Sequence, residues 1–122
     1  MTQMVLIAGP YRSGTGDDPA LIARNERAMH EVALEVFRRG HLAVTGEALA
    51  LPLIRLEDPE ATPGTPRFDE IFHPLARRLV ARCDAVLRIG GPSAGADEMV
   101  ALARDHGAAV LTGLDELPEV RG

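Results

Sequence analysis

Three stretches of this 122-residue chain gather residue types that could bind an anion or move a proton. The first is Gly9-Pro10-Tyr11-Arg12-Ser13-Gly14-Thr15-Gly16, directly after an apolar run. Glycines let a backbone approach an anion closely, and N–H groups at the start of a following helix favour negative charge. Arg12 offers a fork matched to phosphate oxygens, Ser13 a hydroxyl donor and Tyr11 a face for a base or sugar. The stretch is neither a Walker motif nor G-x-G-x-x-G. It is read as a phosphate-type loop, with Gly9 to Gly14 as the contact residues.

The second stretch is Gly90-Gly91-Pro92-Ser93-Ala94-Gly95-Ala96-Asp97-Glu98. Ser93 or Asp97 can cap the helix that follows. Ser93 and Gly95 can also face a ligand, and Asp97 and Glu98 are candidates for a nucleophile or a ribose contact. The third stretch holds Asp69, Glu70 and His73. Asp69 and His73 are four apart and share a helical face, as a proton-handling couple or as an ordinary surface pair. Glu47, just after a short apolar run, is a further carboxylate candidate. His30, His41, His73 and His106 are scattered and show no metal-ligand spacing, so neither a metal nor another cofactor is expected. No G-x-S-x-G motif is present.

The elements that must position these groups follow from the hydropathy pattern. Residues 4–8 (M-V-L-I-A) form a continuous apolar run, which suits a strand covered on both faces. Asp17 or Asp18 can cap a helix opening at Pro19, with Leu21, Ile22, Met29, Val32, Ala33, Val36 and Phe37 on one face and Gly40 as its end. Asn25 sits on that face one turn from the glycine loop, where it can bond the loop backbone or touch a ligand. Residues 42–45 read as a second strand. From 46 to 67 the pattern weakens, and a long loop or lid is expected. Within it, 55–67 is rich in prolines and acids, and is expected to be mobile with ligand-dependent order. A helix follows over 68–82, kinked at Pro74 or starting there. A strand at 84–89, a helix at 96–106 and a fourth strand at Ala109-Val110-Leu111 complete the chain.

Alternating strands and helices predict an α/β fold: a doubly wound, three-layer sandwich around a parallel sheet of four to five strands, in the order 2-1-3-4. Ligands of such sheets bind at the carboxyl ends of the strands, near the switch between strands 1 and 3. Both glycine loops and the 46–67 connection belong to that edge.

Composition bounds the remaining possibilities. The length suits a single domain over 1–122, and with 46% apolar residues, few of them aromatic, the core is aliphatic. A formal charge of −5 argues against general nucleic-acid binding. Arginines 77, 78 and 82 read as a solvated helix face. The one cysteine, Cys83, can form no intrachain disulfide and reads as a small buried thiol. No apolar stretch is long enough to span a bilayer and no basic leader precedes the first strand, so the expected location is the cytoplasm, without membrane partners.

Taken in order, L-I-A-G-P-Y-R-S-G, C-D-A-V-L-R-I-G-G and S-A-G-A-D-E-M-V-A-L-A-R-D-H-G resemble the nucleoside 2-deoxyribosyltransferase-like superfamily, in particular a branch of small bacterial proteins related to nucleoside 5′-monophosphate N-glycosidases. The resemblance implies a flavodoxin-like sheet, a homo-oligomer, no metal, and an enzyme that cleaves or exchanges the N-glycosidic bond of a nucleoside or its 5′-monophosphate. A non-catalytic nucleotide-binding or sensing module is the alternative. Gly9, Arg12, Ser13 and Gly14 match the family's first phosphate loop, and Ser93 and Gly95 its second. The family's active-site tyrosine, aspartate and glutamate fall on Leu6, Ala76 and Met99. Glu98 lies one residue before the last of these and is the expected key carboxylate, with Asp97 as its neighbour and Asp69, His73 or Glu47 assisting the leaving base.

Overall fold

Strand β1 (Met4–Ala8) lies inside the sheet of the computed structural model, which describes residues 1–62 and 65–120. It is followed by α1 (Pro19–Arg38), β2 (Leu42–Thr45), α2 (Gly46–Glu57), α3 (Pro66–Val80), β3 (Ala85–Arg88), α4 (Ala94–His106), β4 (Ala109–Leu111) and a 3-10 turn at Leu114–Glu116. The four strands run in the order β2-β1-β3-β4, and every neighbouring pair is parallel. Val5 stands opposite both Ala43 and Ala85, so the apolar runs at 4–8 and 84–89 are adjacent, as expected. This is a flavodoxin-like α/β fold with the expected strand order, built on four strands among the described residues.

Alternation along β1 divides the core in two. Leu6 and Ala8 face one side with Val86, under Ala76, Leu79 and Val80 of α3 and Met99, Val100 and Ala103 of α4. Val5 and Ile7 face the other side with Ala85 and Leu87, under Met29 and Val36 of α1 and Leu117. Both faces of the strand are covered, which is why its sequence shows no polar alternation. Phe37 departs from the expected stripe and is 68% exposed. At 100° per residue Met29 and Val36 nearly superimpose along α1, and Phe37 lies a quarter-turn off them.

The expected loop or lid over 46–67 is corrected by α2, a twelve-residue helix. Thr45 caps it, its side chain accepting from the Ala48 N–H at 3.1 Å. Ala50 and Ile54, one turn apart, pack with Phe68 of α3 in a cluster of their own. Leu49, Leu53 and Leu56 are exposed and Pro52 lies mid-helix, so the contrast between faces that reveals a helix is missing from the sequence. Of the stretch expected to be mobile, 55–57 close α2 and 66–67 open α3. Between them Asp58 accepts from the N–H groups of Glu60 and Ala61, and residues 63 and 64 lie outside the described residues. Helix α3 opens at Pro66, where a missing N–H costs nothing, and continues through Pro74.

At the far edge of the sheet, buried His41 accepts from the Gln3 N–H at Nδ1 and donates from Nε2 to the Pro118 carbonyl. It is a structural pin between the sheet and the C-terminal segment. Cys83 is buried, and its thiol is pushed up to about 11 by burial and by Asp84, as befits an inert core thiol. Arg77, Arg78 and Arg82 are exposed. No helix among the described residues is long and apolar enough to cross a membrane.

Candidate functional site

The carboxyl ends of β1 and β3 meet closely. A Cβ on Gly9 would stand 2.9 Å from Ile89, and one on Gly90, which has φ +75°, would stand 2.7 Å from Pro10. Glycine at both positions lets the two loops interlock. Pro10 is thereby accounted for by packing, and it does not line the cavity described below.

Beyond Gly9 the first loop is fixed from several sides. The Thr15 hydroxyl donates to the Arg12 carbonyl at 2.6 Å, and Asp18 caps α1 by accepting from the Ala20 N–H at 2.9 Å. Asn25 donates from Nδ2 to the Tyr11 carbonyl at 3.0 Å, which decides between its two sequence readings in favour of the loop backbone. Asn25→Ala is expected to cost about 1 kcal/mol of stability, the net value of such a bond. Urea unfolding of the two proteins measures it.

Arg12, 21% exposed, pairs with Asp17 at 2.8 Å, and its Nε has no hydrogen-bond partner among the described residues. Asp17 holds a left-handed conformation at φ 63°, which costs a non-glycine residue free energy. The turn that carries the partner of Arg12 is therefore imposed by the surrounding loop.

The second loop is braced by Arg88, which donates to Asp97 at 3.2 Å, to the Gly91 carbonyl at 2.9 Å and to the Ile89 carbonyl. Ser93 is buried and caps α4, accepting from the Ala96 N–H at 3.2 Å. The first N–H groups of a helix have no intrahelical partner. Ser93 takes that of Ala96, and Gly95, the residue before it, lines the cavity described below.

These loops enclose a recess of about 140 Å³ at the β1/β3 switch. Gly9, Tyr11, Arg12 and Ser13 line it from the first loop, and Ser93 and Gly95 from the second. Gly46 and Glu47 enter from the start of α2, and Phe68, Phe72 and Met99 supply an apolar wall. Phe68 and Phe72 stack with centroids 5.4 Å apart. Parallel pairing sets Ile7 opposite Thr45, so the residues that follow each strand, Gly9 and Glu47, open onto the same edge.

Among the described residues, Glu47 is the one carboxylate lining this recess. Burial raises its pKa above 4.5, its own backbone N–H opposes this, and Glu26 adds to the rise. Burial also pushes Tyr11 up, with Glu26 contributing, so its hydroxyl stays protonated and can donate. The raised Glu47 value has a thermodynamic sign. The folded state holds the proton more tightly than the unfolded chain, so stability is full at low pH and is lost as pH climbs from 4.5 through the raised value. Glu47→Gln removes this penalty. Its melting temperature is expected to exceed that of the wild type at pH 7, with the gap closing below pH 4.5; scanning calorimetry at the two pH values checks it.

The other candidate carboxylates do not line the recess. Glu98 meets His73 Nδ1 at 3.2 Å, and Asp69 meets His73 Nε2 at 3.6 Å, all three being about 40% exposed. The Asp69–His73 couple therefore extends to Glu98 and ties α3 to α4 beside the cavity. Asp97 is taken by Arg88, and Gly14 is exposed. Met99 stands in the lining where Glu98 was expected. Leu6 and Ala76 are both buried core. Glu47 carried a sequence signal, a carboxylate just after a strand at the ligand edge, but nothing local ranked it above Glu98. Phe68 and Phe72 carried no sequence signal toward the site.

An aromatic wall, an arginine fork, free helix N–H groups and one desolvated carboxylate can together hold an anion-bearing ring compound and stabilise positive charge that develops on it. Among the described residues, no group of three or more His, Cys, Asp or Glu is arranged to hold a metal ion. Compared with known proteins, the chain matches no family model and no curated protein.

Proposed function

We propose that the chain binds a nucleoside 5′-monophosphate at this edge and cleaves or exchanges its N-glycosidic bond. The observation that carries the reading is the presence of Glu47 in the same recess as Arg12, Ser13 and the start of α4. The phosphate sits on Arg12, Ser13 and the free N–H groups of α4. The base lies against Phe68 and Phe72, and the sugar stands between them beside Glu47. The base takes up a proton as it departs and leaves positive charge at the anomeric carbon, which the Glu47 carboxylate stabilises or attacks; water or a second base then adds there, displacing Glu47 if it has bonded. The motif resemblance to the nucleoside 2-deoxyribosyltransferase-like superfamily points to the same chemistry, with the carboxylate on α2 in place of α4.

Incubation with a panel of nucleosides and 5′-monophosphates, with chromatography for free base, tests it. Release of base from at least one monophosphate is expected. Absence of release across the panel, with or without an acceptor base, overturns it.

A second reading, a non-catalytic nucleotide-binding module, is favoured by Met99, which puts an apolar side chain in the lining where the resemblance implies a glutamate. Tight monophosphate binding without base release would establish that alternative.

A further inference from the structure

A second, larger hollow of about 420 Å³ lies along α1, lined by Ile22, Ala23, Glu26 and Leu51. It shares Tyr11 and Arg12 with the recess at the sheet edge, and Asp17 stands on its side of Arg12. Arg12 and Tyr11 thus stand between the recess and an open hollow, and the buried Arg12 Nε has no partner among the described residues. A monophosphate whose base and sugar face the inner recess reaches Arg12 with its phosphate and leaves the outer hollow empty.

From this geometry we infer that the substrate is a nucleotide whose phosphate is esterified on its far side, so that a second, uncharged group lies in the hollow along α1. The inference rests on the proposed monophosphate site and extends it. A phosphodiester or diphosphate diester has two arms that diverge from its phosphorus centre, and Arg12 stands where two cavities diverge. The outer hollow has an apolar floor in Ile22, Ala23 and Leu51. Its acids, Glu26 and Asp17, disfavour a terminal anion and suit a group that presents hydroxyl or amino donors, as a second nucleoside does. Extra phosphate charge alone gains nothing there.

Calorimetry with the four common ribonucleoside 5′-monophosphates, the matching 5′-diphosphates and the symmetric dinucleoside diphosphates tests this. For the base that binds best, the dinucleotide is expected to bind at least about tenfold tighter than the monophosphate, a gain within reach of modest apolar burial. The diphosphate should not show that gain. Ala23 is exposed on α1, so Ala23→Phe fills the hollow from a surface position, and Ala23→Leu does so with less bulk. Either is expected to remove the dinucleotide's advantage and leave monophosphate affinity unchanged. Equal affinity of monophosphate and dinucleotide overturns the second arm and spares the inner site. A diphosphate that matches the dinucleotide overturns it as well, because charge then explains the gain. An advantage that survives both Ala23 variants also overturns it, by placing the second group elsewhere. Failure of every nucleotide to bind overturns the inner site and the second arm together.

Discussion

Glu47→Gln is expected to slow base release by at least about a hundredfold, the scale of losing a principal electrostatic stabiliser, while nucleotide affinity changes little. Glutamine keeps the shape and the hydrogen-bonding reach of the side chain and removes only its charge. The charge matters because it is held in a desolvated recess, where an anion beside a forming cation is worth far more than in water. The same burial that makes Glu47 effective raises its pKa and taxes folding. The variant should therefore be slower and more stable at once, a combination that a merely structural carboxylate would not give. Glu98→Gln is the comparator. Its carboxylate meets His73 outside the lining and is about 40% exposed, so its loss should change the rate by less than about fivefold, the most a half-exposed polar contact contributes. Full activity in Glu47→Gln together with loss in Glu98→Gln would return the catalytic role to α4. Single-turnover measurement on both variants reads this directly.

Arg12→Ala is expected to weaken monophosphate binding by roughly ten- to a hundredfold, as removal of a charge-assisted bond of about 1.5–3 kcal/mol implies. Affinity for the matching nucleoside should hardly move. The difference between the two ligands isolates the phosphate, because both carry the same sugar and base. Arg12 is held by Asp17 at 2.8 Å with its Nε unpartnered, so it is pre-positioned and pays little ordering cost when an anion arrives. Arg12→Lys should recover only part of the loss, since an ammonium cannot present the planar fork. Calorimetry in which wild type and Arg12→Ala bind the monophosphate equally would remove the anion from this loop.

Where the sequence and the structure agree, local chemistry was sufficient. The apolar runs at 4–8 and 84–89 could be satisfied only by strands covered on both faces, and the alternation of strands with helices then left a doubly wound parallel sheet as the economical solution. Asp18 and Ser93 could be read as caps because a side-chain oxygen before a helix has one obvious use, and both serve that use. The glycine loops had to lie at the ligand edge because each follows a strand.

Tertiary structure decided two things that no local pattern carried. The first was α2. Its buried side is only Gly46, Ala50 and Ile54, met by Phe68 and Phe72 of α3, while leucines on its outer side erased the periodic contrast. The second was which carboxylate meets the cavity. Asp97, Glu98 and Met99 are successive residues of one helix, and each step turns the side chain by about 100°. Packing of Met99 and Val100 against β1 and β3 fixed that rotation, so Met99 entered the lining while Glu98 was left to His73 and Asp97 to Arg88. Glu47 reached the cavity because β2 pairs with β1 and Thr45 starts a helix at once. The sequence by itself determined the sheet, its edge and the glycine loops there; strand pairing and helix packing around that sheet brought Glu47, and not Glu98, to the recess.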